Sequence, residues 1–155
     1  MHGRLVSSGA DAISGPVEPI FPQRAPSWAS RTRLYHRSTF PDGARLTYAS
    51  TANTMLRLDA IATMKTPFNP EFRFSGGSDS LLFQTLTSVG KVILWEPNGL
   101  VYENVPAERL HMRWLISRGY RHGITLSRCD RIVHGSWSRL SLRAIKGLMQ
   151  FPLGV

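Results

Sequence analysis

Apolar positions along this chain change their spacing several times, and each change marks an element. In residues 80–89 they fall at Leu81, Leu82, Phe83, Leu86 and Val89, the spacing of one helical face, and Gly90 supplies the stop. Residues 91–96 (Lys-Val-Ile-Leu-Trp-Glu) read as the clearest strand, Pro97-Asn98-Gly99 as a turn, and residues 100–105 as the next strand. Upstream, residues 11–20 read as a short strand ended by prolines, and residues 51–57 as another. Asp59 is placed to cap a short helix through Met64. Pro106 is expected to open a long helix, with Glu108 in its first turn and helical character through about Gly123. On that helix Arg109 and Arg113, four apart, share a face. After a weak polar stretch, residues 137–151 read as a basic amphipathic helix ended by Pro152. The segment 21–43, with Pro22, Pro26 and Pro41, is a long irregular connection with a helical turn near Trp28–Tyr35, and Asp42-Gly43 marks a turn. Connections of that length are uncommon unless they serve a function or are covered.

Between two of these elements lies Phe72-Arg73-Phe74-Ser75-Gly76-Gly77-Ser78-Asp79-Ser80-Leu81-Leu82-Phe83. Adjacent glycines permit a sharp turn, and the carboxylate of Asp79 then sits where an apolar helical run begins. An Asp there can cap the helix, gain from its N-terminal dipole, or act as a general base on a tight turn. Taken alone, Gly-Gly-Ser-Asp reads as a turn and a cap.

Charge adds a second theme. The chain of 155 residues, one domain's length, carries a formal charge of +9, and sixteen of its nineteen basic residues are arginine. From Arg109 onward there are eight arginines, one lysine and a single acid, Asp130. Such a tail suits nucleic acid, anionic lipid or phosphorylated ligands. The single cysteine, Cys129, excludes an internal disulfide, and His111, His122 and His134 lack metal-ligand spacing. The opening residues lack the apolar region of a signal peptide, and no apolar run approaches the roughly 18 residues of a membrane span.

The order of the pieces carries a resemblance. Gly15-Pro16-Val17, Thr51-Ala52-Asn53 with Arg57, Phe68-Asn69-Pro70-Glu71-Phe72 and Gly76-Gly77-Ser78-Asp79 follow one another. Gly90-Lys91-Val92, Val101-Tyr102-Glu103, Val105-Pro106-Ala107-Glu108-Arg109, Arg113-Trp114-Leu115 and Tyr120-Arg121-His122-Gly123 complete the series. Over about residues 8–128 this resembles the second half of family 2 glycosyltransferases, and is similar to the bacterial members that build exopolysaccharides such as succinoglycan.

The resemblance implies an α/β chain: an incomplete GT-A-type fold, a mixed sheet with flanking helices, lacking the N-terminal nucleotide-binding half. Residues 1–128 would be the acceptor-side partial domain, and 129–155 a basic amphipathic C-terminal segment. It implies inverting transfer of a sugar from a nucleotide-sugar to a glycan or lipid-linked glycan, with Asp79 as catalytic base. Asn53, Arg57, Gly76, Gly77, Ser78, Arg113 and Trp114 would lie at the substrate. A cytoplasmic location follows, peripheral at the inner face of the bacterial plasma membrane, in contact with anionic lipid.

This chain departs from the family's pattern in places. Ser78 replaces the Glu of Gly-Gly-Glu-Asp, Asn104 stands where relatives often place a His, and Leu110 occupies the Gln position of the motif ending in Arg113-Trp114, so Trp114 reads as core. A complete family domain holds a divalent metal (Mg or Mn) on an Asp-X-Asp element, and no Asp-X-Asp occurs in this chain. No metal ligand is therefore assigned. The chain alone is expected to be inactive, with a separate chain supplying the missing half. The rivals are a basic nucleic-acid-binding protein, for which no recognised motif appears, and a non-enzymatic remnant.

Overall fold

The computed structural model describes residues 1–135. A four-stranded mixed sheet forms its centre, in the order β3 (Arg45–Leu46), β5 (Ile93–Trp95), β1 (Ala12–Ser14) and β4 (Thr54–Leu56). β1 runs parallel to β5, pairing Ile13 with Leu94, and antiparallel to β4, pairing Ile13 with Met55. β3 pairs antiparallel with β5. Every residue of β1 is buried, as a central strand covered on both faces requires.

The two faces follow from strand alternation. Ala12, Ile93 and Trp95 point to one side, where Leu82, Phe83 and Leu86 of α3 (Ser78–Ser88) cover them. Ile13 and Leu94 point to the other, against Leu5 of α1 (His2–Ser8). The α/β architecture, mixed sheet and flanking helices expected from the sequence are therefore present. Past Gly15-Pro16 the chain continues into β2 (Val17–Ile20), which pairs in parallel with β6 (Val101–Asn104) as a separate two-stranded sheet.

The segment 21–43 contains α2 (Ser27–Arg31) and a 3₁₀ turn at Arg33–Tyr35, close to the helical turn expected there. Its Tyr35 is buried beside Ala29 and Leu110, with Trp28 and Trp114 packed around them. Ala29 and Tyr35 thus anchor the long loop, most of whose other residues are exposed. α4 (Met112–His134) packs across α3, and Phe72, Leu81 and Cys129 fill the space between them.

Three elements differ from their sequence reading. Residues 51–53 form a 3₁₀ turn rather than strand, because the buried Asn53 side chain reaches away to two distant carbonyls. Asp59 caps no helix: it pairs with Arg57 at 2.9 Å, and only a 3₁₀ turn, Leu58–Ala60, forms there. Pro106 opens a 3₁₀ turn, Ala107–Arg109, not the long helix. The chain then extends through His111, whose Nδ1 accepts the Trp114 backbone N–H at 3.1 Å, and that side-chain cap starts α4. Arg109 and Arg113 therefore do not share a helical face. α4 runs through Gly119 and Gly123 to His134, across position 128, and ends at Gly135 with φ 63°. The amphipathic reading of residues 137–151 lies outside the described residues.

Candidate functional site

The approach of α3 to α4 fixes the centre of the site. Gly76 and Gly77 have φ of 75° and 93°, values that side chains rarely adopt. At Gly77 a β-carbon would also lie 1.9 Å from Thr125 Cγ2 of α4. This turn delivers Asp79 into the first turn of α3, where a carboxylate gains from the helix dipole. Asp79 is not the N-cap; that position is Gly77. Asp79 Oδ1 accepts the Ser80 backbone N–H at 2.8 Å, and Oδ2 has no donor among the described residues.

Asp79 is half-buried and lines a cleft of about 990 Å³ between α3, α4 and the loops after β1 and β3. The charged lining is one-sided. Among the described residues it holds one carboxylate, Asp79, against Arg37, Arg118 and Arg121, with His36, His122 and His134 also on its walls. The protein around His122, and then the charge of Arg118, hold its pKa below the ordinary histidine value, with Asp79 pulling the other way. Arg118 remains reachable by solvent, yet its pKa is lowered, first by the surrounding protein and then by Arg37. Gln84 of α3 also borders the cleft; it is 6% exposed, and its Oε1 has no hydrogen-bond partner among the described residues.

Of the residues singled out in the sequence, Asp79, Gly76, Gly77 and Asn53 meet at this cleft. Asn53 is committed to architecture: its amide donates to the carbonyls of Pro16 (2.8 Å) and Gly99 (2.6 Å), tying the β1–β2 bend to the β5–β6 turn. The bend admits no side chain at Gly15, whose β-carbon would lie 2.6 Å from the Gly99 oxygen. Arg57 points elsewhere, into its pair with Asp59. Ser78 begins α3 without lining the cleft, and Arg113 is exposed on α4. Trp114 stacks on Tyr35 at 6.4 Å and 9° and packs with Leu110 and Leu115. Asn104, at the end of β6, is exposed.

Arg37, Arg118 and Gln84 were not singled out in the sequence. The length of the 21–43 connection was the signal for Arg37. Tyr120-Arg121-His122-Gly123 pointed to the cleft-facing part of α4, whereas nothing local distinguished Gln84 from any helical polar residue.

The residues of the cleft do not fit a divalent metal. Among the described residues Asp79 is its one carboxylate, and no group of three or more His, Cys, Asp or Glu side chains gathers. No helix among them is long and apolar enough to cross a membrane.

Comparison with protein-family models gives no match, and no solved structure matches. Among curated proteins, the succinoglycan biosynthesis protein ExoM of Rhizobium meliloti (strain 1021) is 34% identical over 124 residues, which are 79% of this chain. The match spans 40% of ExoM's own length. The chain is thus related to a protein of exopolysaccharide biosynthesis.

Proposed function

We propose that the chain is the acceptor side of an inverting family 2 glycosyltransferase of GT-A type, acting in exopolysaccharide biosynthesis. The observation that carries this reading is the half-buried Asp79, the one carboxylate among the described residues of a cleft that also holds three arginines, on the helix entered through Gly76-Gly77. The similarity to ExoM supports the same assignment.

On this reading Asp79 accepts the proton of an acceptor hydroxyl as that oxygen attacks the anomeric carbon of a nucleotide-sugar. The bond from that carbon to the phosphate oxygen breaks, its electron pair leaves with the nucleoside diphosphate, and the configuration inverts. The surrounding arginines favour the charge that develops on the leaving phosphate. His122 lies close enough to feel the Asp79 charge and stays largely neutral near pH 7. The donor nucleotide is held chiefly by a separate chain, and the acceptor is a lipid-linked glycan at an anionic membrane surface.

The test uses membranes from the organism that makes this chain, so that the separate chain is present, with and without the 155-residue chain, given a panel of radiolabelled UDP-sugars. Transfer of label to the lipid fraction above that of membranes without the chain supports the proposal. No added transfer with any donor contradicts it.

A further inference from the structure

Beside the main cleft lies a smaller pocket of about 40 Å³, sharing Val17, Arg37 and Arg118 with it. A single water needs roughly 10–15 Å³ on such a measure, so the space suits about three waters or one tetrahedral phosphate group. Three guanidinium groups line it, from Arg37, Arg109 and Arg118, against one carboxylate, Glu103. That carboxylate is already engaged by Arg37 at 2.8 Å. The Arg109 and Arg118 guanidiniums have no hydrogen-bond acceptor among the described residues. Each stands instead over the Trp114 ring, at 5.5 and 5.3 Å from its centre. Tyr35 stacks on the same ring and donates its hydroxyl to the Arg109 carbonyl at 2.8 Å, which fixes the pocket's floor.

Like charges gather at a concave site at an energetic cost unless an anion joins them. Here two guanidiniums retain all their donors, held by aromatic packing rather than by counter-ions, and solvent reaches both. We infer that Arg37, Arg109 and Arg118 form a pocket for a phosphate group of the ligand whose remainder lies in the Asp79 cleft. The chemistry is that of a diphosphate ester. Its phosphate comes either from a nucleotide-sugar donor or from a lipid diphosphate carrying the acceptor. The inference rests on the glycosyltransferase reading only for that choice of source; the pocket itself does not require sugar transfer.

Calorimetric titration of the full chain with inorganic pyrophosphate at low salt tests the pocket. Saturable binding is expected, weakened about 10-fold or more by Arg118→Gln, because charge-assisted contacts to phosphate are lost. Arg118→Lys keeps the charge without the planar fork and is expected to fall between the two. Arg31→Gln, an equal change of charge at an exposed site on α2, is expected to bind as the parent chain does. Absence of pyrophosphate binding by the parent chain overturns the inference whether or not the variants fold. Equal affinity of the parent chain and Arg118→Gln, or equal losses in Arg118→Gln and Arg31→Gln, also overturns it.

Parallel titrations with UDP and geranyl diphosphate identify the source: the tighter ligand marks donor or acceptor, and equal affinities mark a pocket that reads phosphate alone. Arg118-dependent binding in a chain that transfers no sugar would leave the pocket standing while the glycosyltransferase reading failed.

Discussion

Gly77 and Thr125 meet where α3 crosses α4, with no room for a β-carbon between them: one built on Gly77 falls 1.9 Å from Thr125 Cγ2. Gly77→Ala is therefore expected to combine an unfavourable φ with overpacking, destabilising the chain by about 2–4 kcal/mol. Gly76 has a similar φ but open space around it, so Gly76→Ala is expected to cost only about 1 kcal/mol. Urea unfolding of both variants checks the contrast.

The His122 imidazole senses both walls of the cleft. Its folded-state pKa lies below the ordinary 6.5, owing first to the surrounding protein and then to Arg118, while Asp79 raises it. Its contribution to stability is full above 6.5 and is lost as pH falls toward the folded-state value. NMR titration is expected to give a midpoint below 6.5. Arg118→Gln should move that midpoint up and Asp79→Asn should move it down.

Asn53 ties two distant turns together through its side-chain amide. Asn53→Ala removes the donor to the half-buried Gly99 carbonyl and one of two donors to that of Pro16, which keeps the Val101 N–H, at an expected cost of about 1–2 kcal/mol. Chemical denaturation measures the loss, and Asn53→Asp, which supplies acceptors where donors are needed, is expected to be at least as harmful.

These positions show which parts of the fold could be read from the sequence. The turn at Gly76-Gly77, the helix after it and the strand through Ile93 and Trp95 arise from local pattern, and all appeared where that pattern placed them. The 3₁₀ turn at residues 51–53 did not, because Asn53 answers to carbonyls 37 and 46 residues away. The late start of α4 was hidden for a related reason: His111 reads like any helical residue until its ring accepts the Trp114 N–H. Asp79 was legible from its glycines. Arg37, by contrast, reaches the site only because Tyr35 anchors the loop before it against Trp114.

Acid should loosen the C-terminal end of β5. Glu96, just after β5, accepts the Asn98 backbone N–H and a guanidinium N–H of Arg4, each at 3.0 Å, and Arg4 also pairs with Asp42. Those contacts, the Asn98 bond foremost, hold the Glu96 pKa below its ordinary 4.5. Its stabilising contribution is thus full above 4.5 and lost as pH falls through the lower, folded-state value. Glu96→Gln should flatten the pH dependence of the unfolding midpoint in that window.

On the proposed mechanism Asp79 takes the acceptor's proton. The most direct test compares sugar transfer to lipid by membranes of the organism that makes this chain, where the separate chain is present, carrying the parent chain, Asp79→Asn or Asp79→Glu at matched protein levels. Loss of a general base predicts a fall of about 100-fold or more for Asp79→Asn. Partial activity is expected in Asp79→Glu, where the base returns at a displaced position. Parent-level transfer by Asp79→Asn would contradict the assignment.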